Sequence, residues 1–158
     1  MSKLRVLFLC TGNSCRSQMA EGWARQLRGD EMEAFSAGVE PHGLNPLAVQ
    51  VMREAGVDIS RQTSKHIDAL RAIPFDCVIT VCDRAHELCP LFFGVTKVAH
   101  VGFDDPPQLA KLAKDEAEAI GHYRRVRDEI RQFIVHFQET VDIAASKRAV
   151  NVNCASAK

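Results

Sequence analysis

Cys10 stands at the end of the apolar run Leu4-Arg5-Val6-Leu7-Phe8-Leu9 and begins the segment Cys10-Thr11-Gly12-Asn13-Ser14-Cys15-Arg16-Ser17. A thiol, five mostly small or polar residues and an arginine, set between a buried strand and a helix, make a cradle for a tetrahedral oxyanion. The backbone N–H groups of such a loop point inward, the following helix presents its positive end, and the Arg16 fork takes two anion oxygens. The same field is expected to depress the pKa of Cys10 and make it a thiolate nucleophile at neutral pH. Cys10 and Arg16 are therefore the first catalytic candidates, and Thr11 to Ser17 the oxyanion-binding residues. Within the loop Cys15 reads as a packing thiol, with an off-pathway disulfide to Cys10 as its second reading. Ser17 reads as a helix cap, with donation of its hydroxyl to the Cys10 sulfur as its second reading. The competing reading of the whole segment is a buried structural cysteine beside a surface arginine.

Three further residues complete the chemistry. Asp105, in Asp104-Asp105-Pro106-Pro107, is held extended by the proline after it and is presented on a stiff loop, where a carboxyl can protonate a departing oxygen. Its alternative is an ordinary Asp-Pro turn. Cys82 and Cys89 bracket Asp83-Arg84-Ala85-His86-Glu87-Leu88. If that segment is helical, seven residues separate the two Cα atoms by about 10 Å, beyond the roughly 7 Å reach of a disulfide. A Cys82–Cys89 bond then requires the helix to unwind, which makes the segment a redox switch. Unlinked packing thiols, or metal ligands together with His86, are the other readings of the pair, and no metal site is expected.

The elements that must position these residues follow from periodicity. Leu4 to Leu9, Met32 to Ala37, Cys77 to Val81 and Lys97 to Val101 read as strands. Gln18 to Leu27 reads as a helix. A second helix after Asn45-Pro46 carries Leu47, Val51 and Ala55 on one face and stops at Gly56. A long final helix from Glu116 to Ile143 carries Ile120, Tyr123, Val126, Ile130, Phe133, Phe137 and Val141 at spacings of three and four. Strands alternating with helices imply an α/β fold with a parallel sheet covered on both faces and a site at the strands' C-terminal ends. One domain is expected over residues 1–143, with a loose tail over 144–158 that holds Cys154.

The chain has 158 residues, with twenty basic and twenty acidic side chains. No global field draws it to nucleic acid or to a membrane surface, so its anion preference is local. The start Met1-Ser2-Lys3 leads into the first strand without a signal peptide, and no apolar stretch is of spanning length, so a cytoplasmic location is expected. In a reducing compartment, six cysteines are catalytic, redox-active or buried.

Taken together, Cys10 to Ser17, Ser36-Ala37-Gly38, Asn45-Pro46, Asp58-Ile59-Ser60, Cys82 with Cys89, and Asp105-Pro106 resemble the thioredoxin-coupled arsenate reductases, which have the low-molecular-weight protein tyrosine phosphatase fold. The resemblance covers residues 3 to 143 and implies a four-stranded parallel sheet flanked by helices. It implies that arsenate sits in the loop, that the Cys10 thiolate attacks arsenic, and that Asp105 protonates a leaving hydroxyl. Cys82 then attacks the Cys10 sulfur, releasing arsenite, and Cys89 attacks Cys82, leaving a disulfide that thioredoxin reduces. No flavin or nicotinamide cofactor is implied. Asn13, Glu21 and Ser36 match positions that bind potassium in some relatives, and Lys65 stands where those relatives supply an acidic ligand. The resemblance thus suggests that the Lys65 ammonium takes the cation's place and pairs with Glu21, the other reading being a solvated surface lysine. The alternative function is a phosphatase of the same fold, which the lack of a tyrosine after Asp105 weakens. A thiol protein that binds arsenite without turnover leaves Arg16 and Asp105 unexplained.

Overall fold

Runs rich in aliphatic residues, each followed by a segment of helical period, form four parallel strands. The computed structural model describes residues 3–82, 97–142 and 144. Its strands are β1 (Leu4–Cys10), β2 (Met32–Gly38), β3 (Cys77–Thr80) and β4 (Lys97–His100), in the spatial order β2-β1-β3-β4. The helices are α1 (Arg16–Arg28), α2 (Pro46–Glu54), α3 (Pro106–Lys111) and α4 (Glu116–Val135), with a short 3-10 helix at Ile67–Leu70. This is the expected α/β architecture. Residues 83–96, with His86 and Cys89, and residues 145–158, with the expected tail and Cys154, lie outside the described residues.

β1 is buried on both faces, and Val6, Leu7, Phe8 and Leu9 expose no surface. Double burial explains why this strand reads as a continuous apolar run, since neither alternate set of side chains meets water. Phe8 meets Phe133 and Phe137 edge-on, at centroid distances of 6.4 and 6.5 Å. α1 packs on α4, where the Trp23 indole N–H donates to the Arg127 carbonyl at 3.1 Å.

Two helices depart from their expected form. The final helix ends at Val135, turns at His136 (φ −106°, ψ 32°), and helical backbone resumes over 137–142. Phe133 and Phe137, four residues apart on either side of the turn, both reach Phe8. In α2 the buried face is Ala48, Val51 and Met52, whereas Ala55 is exposed and Leu47 only half-buried. The Asn45 cap and Pro46 at the first turn set that rotation. Gly56 ends the helix at φ +85°, as a C-terminal glycine does.

The strand ends are level. Cys10 pairs with Gly38, Leu9 with Thr80, and Thr80 with His100. The chain leaves β1 for β2 on one side and crosses from β2 to β3 on the other, so the loop after Cys10 opens at a topological switch point, where open α/β sheets bind ligands. Among the described residues no helix is long and apolar enough to cross a membrane.

Candidate active site

The loop between β1 and α1 is shaped by the segment that follows β2. Glu40 N donates to Thr11 O at 2.8 Å, His42 N to Gly12 O at 2.9 Å, and Asn45 N to Ser14 O at 3.0 Å. Across a trans peptide the carbonyl and the next N–H point in opposite directions. Drawing these three carbonyls outward therefore turns the N–H groups of Gly12, Asn13 and Cys15 toward the loop interior. The close approach explains two glycines. A Cβ on Gly12 would lie 2.5 Å from His42 Cδ2, and one on Gly38 would lie 2.7 Å from the Thr11 carbonyl.

Asn13 is the single described non-glycine residue at positive φ, +46°, a conformation asparagine tolerates better than most residues. Its side chain is fully committed: Oδ1 accepts from Lys65 N at 2.9 Å and Nδ2 donates to Ser17 Oγ at 2.9 Å. Gln18 Nε2 donates to the Asn13 carbonyl at 3.0 Å. Ser17, expected as the cap of α1, is instead buried as this acceptor. Cys15 takes the N-cap position with no side-chain cap bond, which leaves the first-turn N–H groups of α1 for an anion.

The arginine fork reaches the opposite wall. Arg16 Nη1 donates to the Phe103 carbonyl at 3.0 Å, and Nη2 lies 3.6 Å from Asp105 Oδ1. Arg16 Nε is buried with no partner, the one such side-chain atom among the described residues, and a tetrahedral oxyanion in the loop would supply the acceptor it lacks. Asp104 turns away to Arg125 at 3.0 Å. Of the two aspartates, Asp105 is thus the one brought to the loop.

Cys10 and Cys82 are buried and reduced, and Thr11 Oγ1 lies 3.1 Å from Cys82 Sγ, which sets the second thiol beside the start of the loop. The expectation of a depressed Cys10 pKa is corrected here. The hydrogen bond to Cys82, and then burial, hold the Cys10 thiol well above the ordinary range, against Arg16 and the Gly12 N–H, which pull it down. The sequence does not reveal which thiol faces it. Cys15 is buried in the loop wall, and desolvation pushes its thiol up. A cleft of about 290 Å³, lined by Arg16, Cys82, Gly102, Phe103, Asp104 and Glu129, opens from these groups to the surface.

Behind the loop, Ser36 Oγ donates to Glu21 Oε1 at 2.9 Å. The Lys65 ammonium donates to the carbonyls of Ser36 at 2.9 Å and Thr63 at 2.8 Å, rather than to Glu21 directly. Glu21 takes Arg25 as its ion-pair partner at 3.1 Å, a pairing that sequence reasoning missed although the residues stand at i and i+4. Burial pushes the Glu21 carboxyl up and the Lys65 ammonium down. Also missed is Tyr123, whose hydroxyl accepts from Asn45 Nδ2 at 3.1 Å. The only signal for it is its place on the buried stripe of the final helix.

The chain is 54% identical to an arsenate reductase of Bacillus licheniformis over 140 residues, covering 89% of this chain and 99% of the relative. It is 51% identical to one of Bacillus subtilis over 135 residues, covering 85% and 95%. A solved arsenate reductase in its phosphate-binding state superposes with a TM-score of 0.71 at 29% identity, covering 89% of this chain and 98% of that one. A low molecular weight protein tyrosine phosphatase from T. tengcongensis superposes at 0.65 with 27% identity, covering 87% and 99%. The identities favour arsenate reduction over the phosphatase alternative. With residues 5–147 matched by its sequence model, the chain belongs to the low molecular weight phosphotyrosine protein phosphatase family, on its arsenate reductase branch.

Proposed function

We propose that this arsenate reductase works by a three-thiol relay through Cys10, Cys82 and Cys89, with thioredoxin as the final reductant in a reducing cytoplasm. The observation that carries the reading is the place of the Cys82 sulfur, buried 3.1 Å from the hydroxyl of Thr11, the residue next to Cys10, at the start of a loop whose N–H groups converge. A thiol that forms an adduct with the oxyanion has its resolving thiol already beside it.

The steps balance with these groups alone. The Cys10 thiol and the arsenate monoanion combine to give a Cys10 sulfur–arsenic adduct and water. Arg16 and the inward N–H groups hold the equatorial oxygens, and Asp105 delivers a proton to the departing oxygen. The Cys82 thiol then attacks the Cys10 sulfur. The sulfur–arsenic bond breaks, its electron pair stays on arsenic, and arsenite leaves with the Cys82 proton on oxygen, so that arsenic gains two electrons and the thiols form a Cys10–Cys82 disulfide. Attack by Cys89 transfers that disulfide to Cys82–Cys89, where an external dithiol reduces it. Residues 1–143 are read as the single domain that carries this chemistry. Lys65, bound to Ser36 O and Thr63 O with its backbone N–H on Asn13, is read as a built-in cation that steadies the Asn13 side of the loop.

The test is NADPH oxidation on adding arsenate to the chain with thioredoxin and thioredoxin reductase, with arsenite confirmed as product. Sustained oxidation by the unchanged chain is expected. Cys10→Ser should abolish arsenate reduction together with any aryl phosphate hydrolysis, whereas Cys89→Ser should stop multiple turnover and spare that hydrolysis. Normal turnover of Cys89→Ser with thioredoxin would overturn the relay.

A further inference from the structure

We propose that Tyr123, the only tyrosine in the chain, is a positioning residue for the oxyanion loop and acts through Asn45. The inference rests on the reading of residues 10–17 as that loop. Asn45 joins three parts of the molecule. Its Oδ1 caps α2 by accepting from Leu47 N at 2.8 Å and Ala48 N at 3.2 Å. This fixes the amide's orientation, so Nδ2 is the atom left to donate to Tyr123 at 3.1 Å. Its backbone N–H holds the Ser14 carbonyl at 3.0 Å and so aims the Cys15 N–H inward.

The strap formed by residues 40–45 has two anchors. At one end Gly38 is paired in the sheet with Cys10. At the other, Asn45 is held by a phenol that cannot easily move. Tyr123 is 2% exposed and lies on the same stripe of α4 as the buried residues Val126, Ile130 and Phe133. Its ring is therefore core rather than a platform for an aryl substrate, and its hydroxyl is the part that reaches the site. A phenylalanine there would pack equally well but leave the Asn45 amide N–H without its acceptor, freeing the end of the strap that sets the Ser14–Cys15 peptide.

The expected signature is a weakened anion site with unweakened chemistry. A single net hydrogen bond is worth a factor of about three to ten in affinity. Tyr123→Phe should raise the dissociation constant for inorganic phosphate and the KM for arsenate by that factor, with kcat within about twofold. Asn45→Ser retains a capping hydroxyl and the backbone N–H but cannot reach Tyr123. It should show the same split and carries the test if Tyr123→Phe folds poorly. The double variant should be no worse than the more affected single one, because both interrupt one chain of contacts. A merely structural role predicts a lower melting temperature with phosphate affinity intact. Unchanged phosphate affinity in both variants, or additive effects in the double variant, would overturn the inference. If the unchanged chain failed to bind phosphate, the reading of the loop would fall, and this inference with it.

Discussion

Cys10 is pulled in two directions: Arg16 and the Gly12 N–H favour its thiolate, while Cys82 and burial favour its thiol. The largest of these influences is the Cys82 side chain, which holds the Cys10 proton on. Removing the Cys82 sulfur removes that influence and leaves Arg16 less opposed. Cys82→Ser should therefore lower the midpoint of the pH profile for Cys10 alkylation by iodoacetamide and speed the reaction at pH 7, as read from modification of the peptide containing Cys10. A midpoint that stayed put or rose would show that Cys82 does not set the Cys10 proton. The same physics explains why four buried thiols have different fates. Cys15 and Cys77 are raised chiefly by desolvation and are held as inert core groups, whereas for Cys10 the Cys82 side chain outweighs burial.

At the scale of elements, the oxyanion loop depends on flanks drawn from three segments: residues 40–45, the β2 end at Gly38, and residues 62–65. The loop itself was legible in the sequence, because a thiol, small residues and an arginine after an apolar run have few other uses. Its flanks were not, because they act through backbone N–H groups, as at Glu40 and His42, which any residue type supplies. Lys65 was legible only by resemblance, and its actual partners, two carbonyls, leave no mark in residue identity. With the ammonium on Ser36 O and Thr63 O and Arg25 already on Glu21, a free monovalent cation has little to add behind the loop. Exchanging sodium for potassium at constant ionic strength should leave the melting temperature and the arsenate KM unchanged. A marked rise in stability or turnover with potassium would refute the role given to Lys65.

Across the whole molecule, the interior place of β1 in the sheet goes with its double burial, which the apolar run over residues 6–9 announces. The break of the final helix at His136 carries no comparable signal, since no glycine or proline marks it. The same double burial, shared by β3, also traps thiols, with a consequence for the pH dependence of stability. Desolvation pushes the Cys77 thiol from its ordinary 9.0 to about 12, and Cys15 is raised as well. The unfolded chain releases these protons near pH 9 while the folded chain keeps them, so above that point the folded state binds more protons. Stability is thus fully present below about pH 9 and falls as pH rises toward 12, by about 1.4 kcal/mol per pH unit for each such thiol. Lys65, whose ammonium is pushed down by burial, opposes this trend, because the folded state gives up its proton first. Cys77→Val removes one thiol from a position on β3 that suits a β-branched side chain. Between pH 8 and pH 10, urea unfolding should show the unchanged chain losing about 1.4 kcal/mol more than this variant. Equal losses would mean that the Cys77 proton is released in the folded state as readily as in the unfolded one, and that burial in this sheet leaves its thiols unprotected from alkaline ionisation.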